Sequence, residues 1–138
     1  RPDRAGVYED SVLPVVRAGQ VQLLEGMYEI SKALRVEPTP GHTPGHVALK
    51  LLDDGGGAVF CGDTLHHPIQ VYRPDWSTRF CEDAVQARAS RRKVLEHCAE
   101  HGALLFPTHF AAPHVAAIER DGDEGGSPRY RPRFVHCC

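Results

Sequence analysis

Short apolar runs separated by turns rich in glycine and proline divide most of the chain into predicted strands. Residues 21–24 form one such run, and residues 34–37 alternate apolar with polar positions, as a half-buried strand does. Residues 47–52 and 58–61 flank an Asp-Asp-Gly-Gly-Gly turn, which predicts a hairpin. Residues 103–106 are apolar throughout and predict a further, buried strand.

Helical signals occur in two places. Residues 1–19 predict a short helix or two turns, with the apolar residues on one side. A longer helix is predicted from Asp83, a capping residue, to His101, with Gly102 ending it. Its cationic residues are expected on the solvated face: Arg88, Arg91, Arg92 and Lys93. Strands combined with a long helix indicate the α/β class.

The composition is that of a globular protein and argues against nucleic-acid-binding and membrane-spanning classes. The 138 residues are enough for one domain, and 41% hydrophobic and 25% charged residues are typical of a globular protein. A net charge of −2 argues against a nucleic-acid partner, and no apolar run is long enough for a membrane span. Five cysteines without a Cys-x-x-Cys spacing favour reduced thiols and a cytoplasmic location. A small-molecule substrate is therefore expected, and a homodimer is compatible with the composition.

Histidines and one aspartate follow the predicted strands. His42 and His46 lie on a loop rich in glycine and proline, Asp63 follows the return strand of the hairpin, and His109 follows the last buried strand. His46 begins one strand of the hairpin and Asp63 ends its neighbour, so the two side chains can lie side by side. Imidazole and carboxylate ligands suit zinc and similar ions. The pattern predicts a metal site, with a tight surface turn as the alternative.

These residues resemble a known family. The run at residues 39–46, Thr-Pro-Gly-His-Thr-Pro-Gly-His, together with Gly62-Asp63-Thr64 and a strand ending in His109, resembles the second half of the metallo-β-lactamase-fold hydrolases. Residues 62–70 and 74–76 are most similar to the lactonase-like and organophosphate-hydrolase-like branch. The resemblance implies part of a four-layer αββα sandwich with an antiparallel or mixed sheet. It assigns residues 1–119 to the C-terminal portion of that domain and leaves 120–138 as a polar, flexible tail, with an edge strand at 131–135.

The resemblance also implies residue roles and two bound divalent metal ions, expected to be zinc. His46 would bind the first ion, His109 the second, and Asp63 would bridge both and act as the catalytic residue that orients a metal-bound hydroxide. His42 would support a ligand without binding metal itself. His66 and His67 would line the substrate pocket or only fix their loop. Tyr72, Trp76 and Phe80 are expected either to form an apolar wall for the substrate or to pack in the core.

Family members carry an upstream His-x-His-x-Asp-His motif, which this sequence lacks. The implied function is hydrolysis of a lactone, ester or phosphotriester through a metal-bound hydroxide, as part of a complete enzyme. The alternative is a truncated, non-catalytic fragment or pseudoenzyme without the upstream ligands.

One further motif overlaps the long helix. Residues 97–101 read His-Cys-Ala-Glu-His, which matches the H-x-x-E-H pattern of some zinc proteases. Histidines in the last turn of a charged helix are also favoured by the helix dipole. A short pattern of this kind recurs by chance, so a zinc protease is only a remote alternative.

Overall fold

The computed structural model describes residues 6–135, which form one mixed sheet of seven strands packed against helices. The strand order in the sheet follows the order along the chain. Neighbouring strands are antiparallel except for β4 and β5, which are parallel. The strands are β1 (Tyr28–Ser31), β2 (Leu34–Pro38), β3 (Val47–Leu51), β4 (Ala58–Gly62), β5 (Leu104–Pro107), β6 (Val115–Glu124) and β7 (Ser127–Val135).

The helices are α1 (Leu13–Arg17), which follows a π-helical segment (Tyr8–Val12), α2 (Ile69–Tyr72) and α3 (Ala84–His101). Helix α3 crosses between β4 and β5 and covers one face of the sheet. The core between them contains Ala48, Val59, Cys61, Leu65, Val71, Val94, Leu95, Cys98, Ala103, Leu105, Phe110, Ala116, Ile118 and Tyr130. No helix within residues 6–135 is both long and apolar enough to cross a bilayer.

The other face of the sheet is apolar and partly exposed. Along β3, Ala48 and Lys50 are buried, whereas Val47 and Leu51 are exposed. Phe60 of β4 is 41% exposed and stacks on Phe106 of β5, with ring centroids 4.8 Å apart. Because side chains alternate along a strand, helix α3 covers one set of apolar residues and leaves the other set open.

Most of the predicted elements are confirmed. The strand at 34–37, the hairpin at 47–61 and the buried strand near 103–106 are β2, β3 with β4, and β5. The Asp83 carboxylate accepts hydrogen bonds from the backbone of Val85 and Gln86, and Gly102 ends α3 in the left-handed conformation. The helical prediction for 1–19 is met by the π-helical segment and α1, and its first five residues lie outside the described range.

Two predictions about the strands were wrong. Residues 21–24 form no strand; Leu23 is 90% exposed, and the neighbour of β2 is β1 instead. The segment after residue 119, predicted to be a flexible tail, continues β6 and forms a hairpin with β7 as far as Val135. Cross-strand ion pairs and burial of Tyr130 stabilise this hairpin: Glu119 lies 2.9 Å from Arg131 and 3.0 Å from Arg133. The expected edge strand at 131–135 is confirmed as part of β7.

Candidate metal centre

The ends of β4 and β5 bring Asp63 and His109 together. The two strands are parallel, so the residues that follow them lie at the same edge of the sheet. His109 Nε2 lies 2.7 Å from Asp63 Oδ1. The other carboxylate oxygen, Oδ2, lies 3.3 Å from Nε2 of His42, which the β2–β3 loop supplies. One carboxylate therefore contacts two imidazoles from different loops.

His66 completes the cluster. Its ring stacks on that of His109, with centroids 5.2 Å apart and planes 6° from parallel, and its centroid lies 4.9 Å from that of His42. His42, Asp63 and His66 each offer one potential ligand atom, and these three atoms lie within 4.8 Å of one another. Within residues 6–135 this is the group of at least three such residues. Burial lowers the pKa of His66, and neighbouring His42 lowers it further, which favours the neutral ring that a metal requires.

His46 lies directly against the backbone of Asp63, at the same edge of the sheet. Its Nε2 accepts a hydrogen bond from the backbone N–H of Asp63 at 3.0 Å, so Nδ1 carries the proton and donates to the Thr39 hydroxyl at 2.8 Å. Burial lowers the pKa of His46, in keeping with this neutral tautomer. Both ring nitrogens of His46 are engaged in this structure, and its role as a metal ligand stays a prediction. His42, whose Nε2 contacts the Asp63 carboxylate, is a second possible ligand on the same loop.

Helix α3 fixes the loop that carries His42. The backbone N–H of Glu82 donates to the carbonyl of His42 at 3.1 Å, and that of Asp83 donates to Gly41 at 2.9 Å. Farther along the helix, the Ser90 hydroxyl donates to the Pro40 carbonyl at 2.7 Å. The main-chain carbonyls of the loop are thus held by the residues just before α3 and by one side chain in its N-terminal half.

His66 and His67 have separate roles. Gln70, which is buried, accepts hydrogen bonds from the backbone N–H groups of both histidines and donates to the Trp76 carbonyl at 2.8 Å. The His67 Nδ1 atom accepts a hydrogen bond from the backbone N–H of Ile69 at 3.1 Å. The loop-fixing alternative therefore fits His67, whereas His66 lies in the cluster and its substrate-pocket role stays a prediction. Gln70 was not identified from the sequence.

Arg91 was predicted on the solvated face of α3, and that prediction was wrong. The residue is fully buried, and its guanidinium donates to the carbonyls of Thr64, Pro74 and Trp76 at 2.6–3.0 Å. Burial lowers the pKa of Arg91, and no carboxylate within residues 6–135 forms an ion pair with it. Arg91 therefore connects α3 to both ends of the loop that carries His66.

The predicted aromatic wall lies away from this cluster. Tyr72, Trp76 and Phe80 are all exposed, so the alternative of core packing was wrong. Tyr72 and Trp76 line a cavity of about 290 Å³ beside the tip of the β6–β7 hairpin. None of the residues lining this cavity belongs to the histidine–aspartate cluster.

The side chains of the cluster fit a divalent cation. The Nδ1 atoms of His42 and His66 are buried without a hydrogen-bond partner among the described residues. Buried polar atoms are rarely left in that state without a ligand or water to satisfy them. Two imidazoles and a carboxylate also form a donor set typical of catalytic zinc.

Gly62 offers a test of how closely the centre is packed. Its φ is +50°, and a Cβ atom there would lie 2.9 Å from His46 Nε2, which the Asp63 N–H holds in place. We expect Gly62→Ala to lower the free energy of unfolding by about 1–2 kcal/mol, from backbone strain and displacement of His46. Denaturant unfolding measures the change. Gly45→Ala is the matched control, because nothing lies within 4 Å of its Cβ, and equal losses in the two variants would contradict the expectation.

Fold and site together define an α/β protein with a mixed sheet and a histidine–carboxylate centre suited to a divalent metal ion. Residues 3–109 match the family model described as the metallo-beta-lactamase superfamily. The chain belongs to this superfamily.

Solved structures support the same fold. The chain is similar to hydrolase AbOPH of the beta lactamase superfamily, with a TM-score of 0.73 and 24% identity, covering 92% of this chain and 42% of that one. It is also similar to AidC, a dizinc quorum-quenching lactonase solved with a product, with a TM-score of 0.70, 21% identity and coverage of 87% and 40%. At these identities the likeness concerns the fold.

A curated relative matches over a shorter segment. Hydroxyacylglutathione hydrolase from Cupriavidus taiwanensis is 47% identical over 51 residues, which is 36% of this chain and 18% of that protein. The chain thus spans about a fifth of this relative and about two fifths of the similar solved chains.

Proposed function

We propose that this chain supplies the histidine–aspartate part of a metal-dependent hydrolase that acts on lactone, ester or phosphotriester bonds. The observation that carries the proposal is the convergence of His42, Asp63 and His66 within 4.8 Å, with His109 hydrogen-bonded to the same carboxylate. Membership of the superfamily supports the reaction class. The lactonase and hydrolase named among the similar structures support the substrate class by analogy of fold.

The ligands of the first ion are His42, Asp63 and His66 under this proposal, which replaces His46 in the sequence-based assignment. A divalent cation bound there supplies Lewis acidity and makes water acidic enough to be a nucleophile near neutral pH. The Asp63 carboxylate is held in one orientation because imidazoles approach both of its oxygens. We retain zinc as the expected ion and two ions as the expected number, with a cytoplasmic location.

His109 lies on the open side of the cluster. Its side chain is 49% exposed, against 19% for His42, so an incoming substrate meets His109 first. The His109 Nε2–H donates to Asp63 Oδ1. His109 therefore carries a proton on the exposed side of the site, from which a leaving group would depart. His66 stacks beneath this ring and fixes its plane. These two histidines are suited to orient the substrate and to donate or accept protons.

A non-catalytic metal-binding chain is the second candidate. The described residues provide one three-ligand group, whereas a two-ion centre needs more ligands than these. This second candidate predicts that the chain binds a metal ion and does not hydrolyse any substrate.

The test compares zinc content and hydrolysis in the parent chain with those of His42→Ala, His46→Gln and His67→Ala. We expect His42→Ala to lose about one zinc ion per chain and His67→Ala to keep it, because His67 is not part of the three-ligand group and its Nδ1 accepts from the backbone of Ile69. His46→Gln should keep the ion with weaker affinity, since an amide can still accept from the Asp63 N–H. Turnover of an aryl ester, an acyl lactone and an aryl phosphotriester is assayed in parallel.

Each outcome has a defined meaning. Zinc lost from His46→Gln but retained by His42→Ala would restore His46 as the ligand. Stoichiometric zinc without turnover of any of the three substrates would favour the non-catalytic candidate. Absence of zinc from the parent chain would contradict both candidates.

A further inference from the structure

A second pair of histidines lies at the C-terminal end of α3. His97 and His101 are one helical turn apart on the same face, and their rings stack with centroids 4.3 Å apart and planes 29° from parallel. Histidines at this spacing on a helix can bind one metal ion together. This arrangement uses the two histidines of the H-x-x-E-H motif and does not depend on the rest of that pattern.

The hydrogen bonding of His101 leaves one ring nitrogen available to a ligand. His101 Nδ1 lies 3.0 Å from the carbonyl oxygen of His97, which can only accept, so Nδ1 carries a proton and Nε2 is the nitrogen that could bind a metal ion. Burial lowers the pKa of His97, and the positive charge of Lys50 lowers it further. That charge is compensated by Glu37, which lies 2.7 Å from the Lys50 amine.

The β3–β4 turn closes a cavity beside these rings. The cavity has a volume of about 230 Å³ and is lined by His97 and His101 together with turn residues that include Asp53 and Asp54. The turn lies against the end of the helix because Gly56 has no side chain: a Cβ there would be 2.7 Å from the His101 carbonyl oxygen. The two carboxylates and the negative end of the helix dipole both favour a cation at this place.

We propose that this cavity binds a divalent transition-metal ion, of the zinc and copper class, through Nε2 atoms of His97 and His101. The two imidazoles lie side by side at the cavity and rotate from their stacked arrangement to share the ion, water completes the coordination, and Asp53 and Asp54 contribute negative charge. The cavity lies at the opposite end of α3 from the loop that carries His42, since that loop is held by the helix N-terminus. A helix of 18 residues is about 27 Å long, so the two centres are separate. This site is independent of the proposed hydrolase function.

The test is a calorimetric Zn²⁺ titration of the full chain carrying Asp63→Asn, Cys137→Ser and Cys138→Ser. These substitutions weaken the first centre and remove two thiols that would bind zinc on their own. We expect one bound ion. His97→Gln and His101→Gln, each added to this background, should weaken binding by about tenfold or more through loss of a ligand.

Glu100→Gln is the matched control, because it changes an exposed residue in the same turn and removes the acid of the H-x-x-E-H pattern. We expect its affinity to equal that of the background. Circular dichroism establishes that each variant is folded. Unchanged affinity in His97→Gln and His101→Gln, or no bound zinc in the background chain, would overturn the proposal.

Discussion

Asp63→Asn is expected to reduce zinc affinity at the β4–β5 edge by about a hundredfold or more. The substitution keeps the size of the side chain and removes the negative charge that His42 and His109 both contact, at 3.3 Å and 2.7 Å. An amide also presents one weak oxygen donor in place of two anionic ones. The centre would retain its histidines but lose the ligand at which they converge.

The measurement is zinc affinity by competition with a chelating dye, made in a background carrying His97→Gln, Cys137→Ser and Cys138→Ser, so that neither the second candidate site nor the two C-terminal thiols contribute. Asp75→Asn is the matched control, because Asp75 is a surface carboxylate that pairs only with Arg92, at 2.7 Å, among the described residues. We expect that control to bind zinc as the background does. If Asp63→Asn also kept its affinity, the ion would have to bind elsewhere and the proposed centre would be incorrect.

Arg91→Met is expected to lower the free energy of unfolding by about 4 kcal/mol. Methionine can fill much of the volume, but the carbonyls of Thr64 and Pro74 would lose the guanidinium as their donor, whereas the Trp76 carbonyl would keep its hydrogen bond from Gln70. Each buried polar group left unpaired costs about 1–3 kcal/mol. The loop that carries His66 would also be released, so zinc affinity should fall together with stability.

Urea unfolding of Arg91→Met and of Arg88→Met separates the role of the buried guanidinium from a general effect of losing charge. Arg88 lies one turn earlier on α3 and is only partly buried, and we expect its substitution to change stability by less than about 0.5 kcal/mol. A loss below about 1 kcal/mol in Arg91→Met would mean that the carbonyls find other partners and that the guanidinium is not needed to hold the loop.

Local chemistry made much of the fold predictable. The capping residues Asp83 and Gly102 define α3 without reference to the rest of the chain, and the Gly-rich turn defines the hairpin before Asp63. The placement of Asp63 and His109 also followed from sequence, because residues after neighbouring strands meet at one edge. The tail was misjudged because its charges form ion pairs across β6 and β7, and such pairs are visible only once the strands are aligned.

The roles of His42 and His46 could not be separated by the same reasoning. Both lie on one loop four residues apart, and which ring faces Asp63 depends on backbone angles that the glycines leave open. Arg91 could have been found, because it shares a helical face with Ala87, Val94, Leu95 and Cys98, all of which are buried. The neighbouring Arg92 and Lys93 made the segment look uniformly solvated.

Strand order that follows chain order has a consequence for folding. Each strand pairs with its neighbours in sequence, so loop closure adds only a small entropic cost at most steps. The exception is the long connection from β4 to β5, which contains α2 and α3 and has to close before those strands can pair. Asp63 begins this connection and His109 follows β5, so the two residues meet only after β4 and β5 have paired. The metal centre should therefore be among the last parts of the protein to form, and its assembly would report that the crossover has closed.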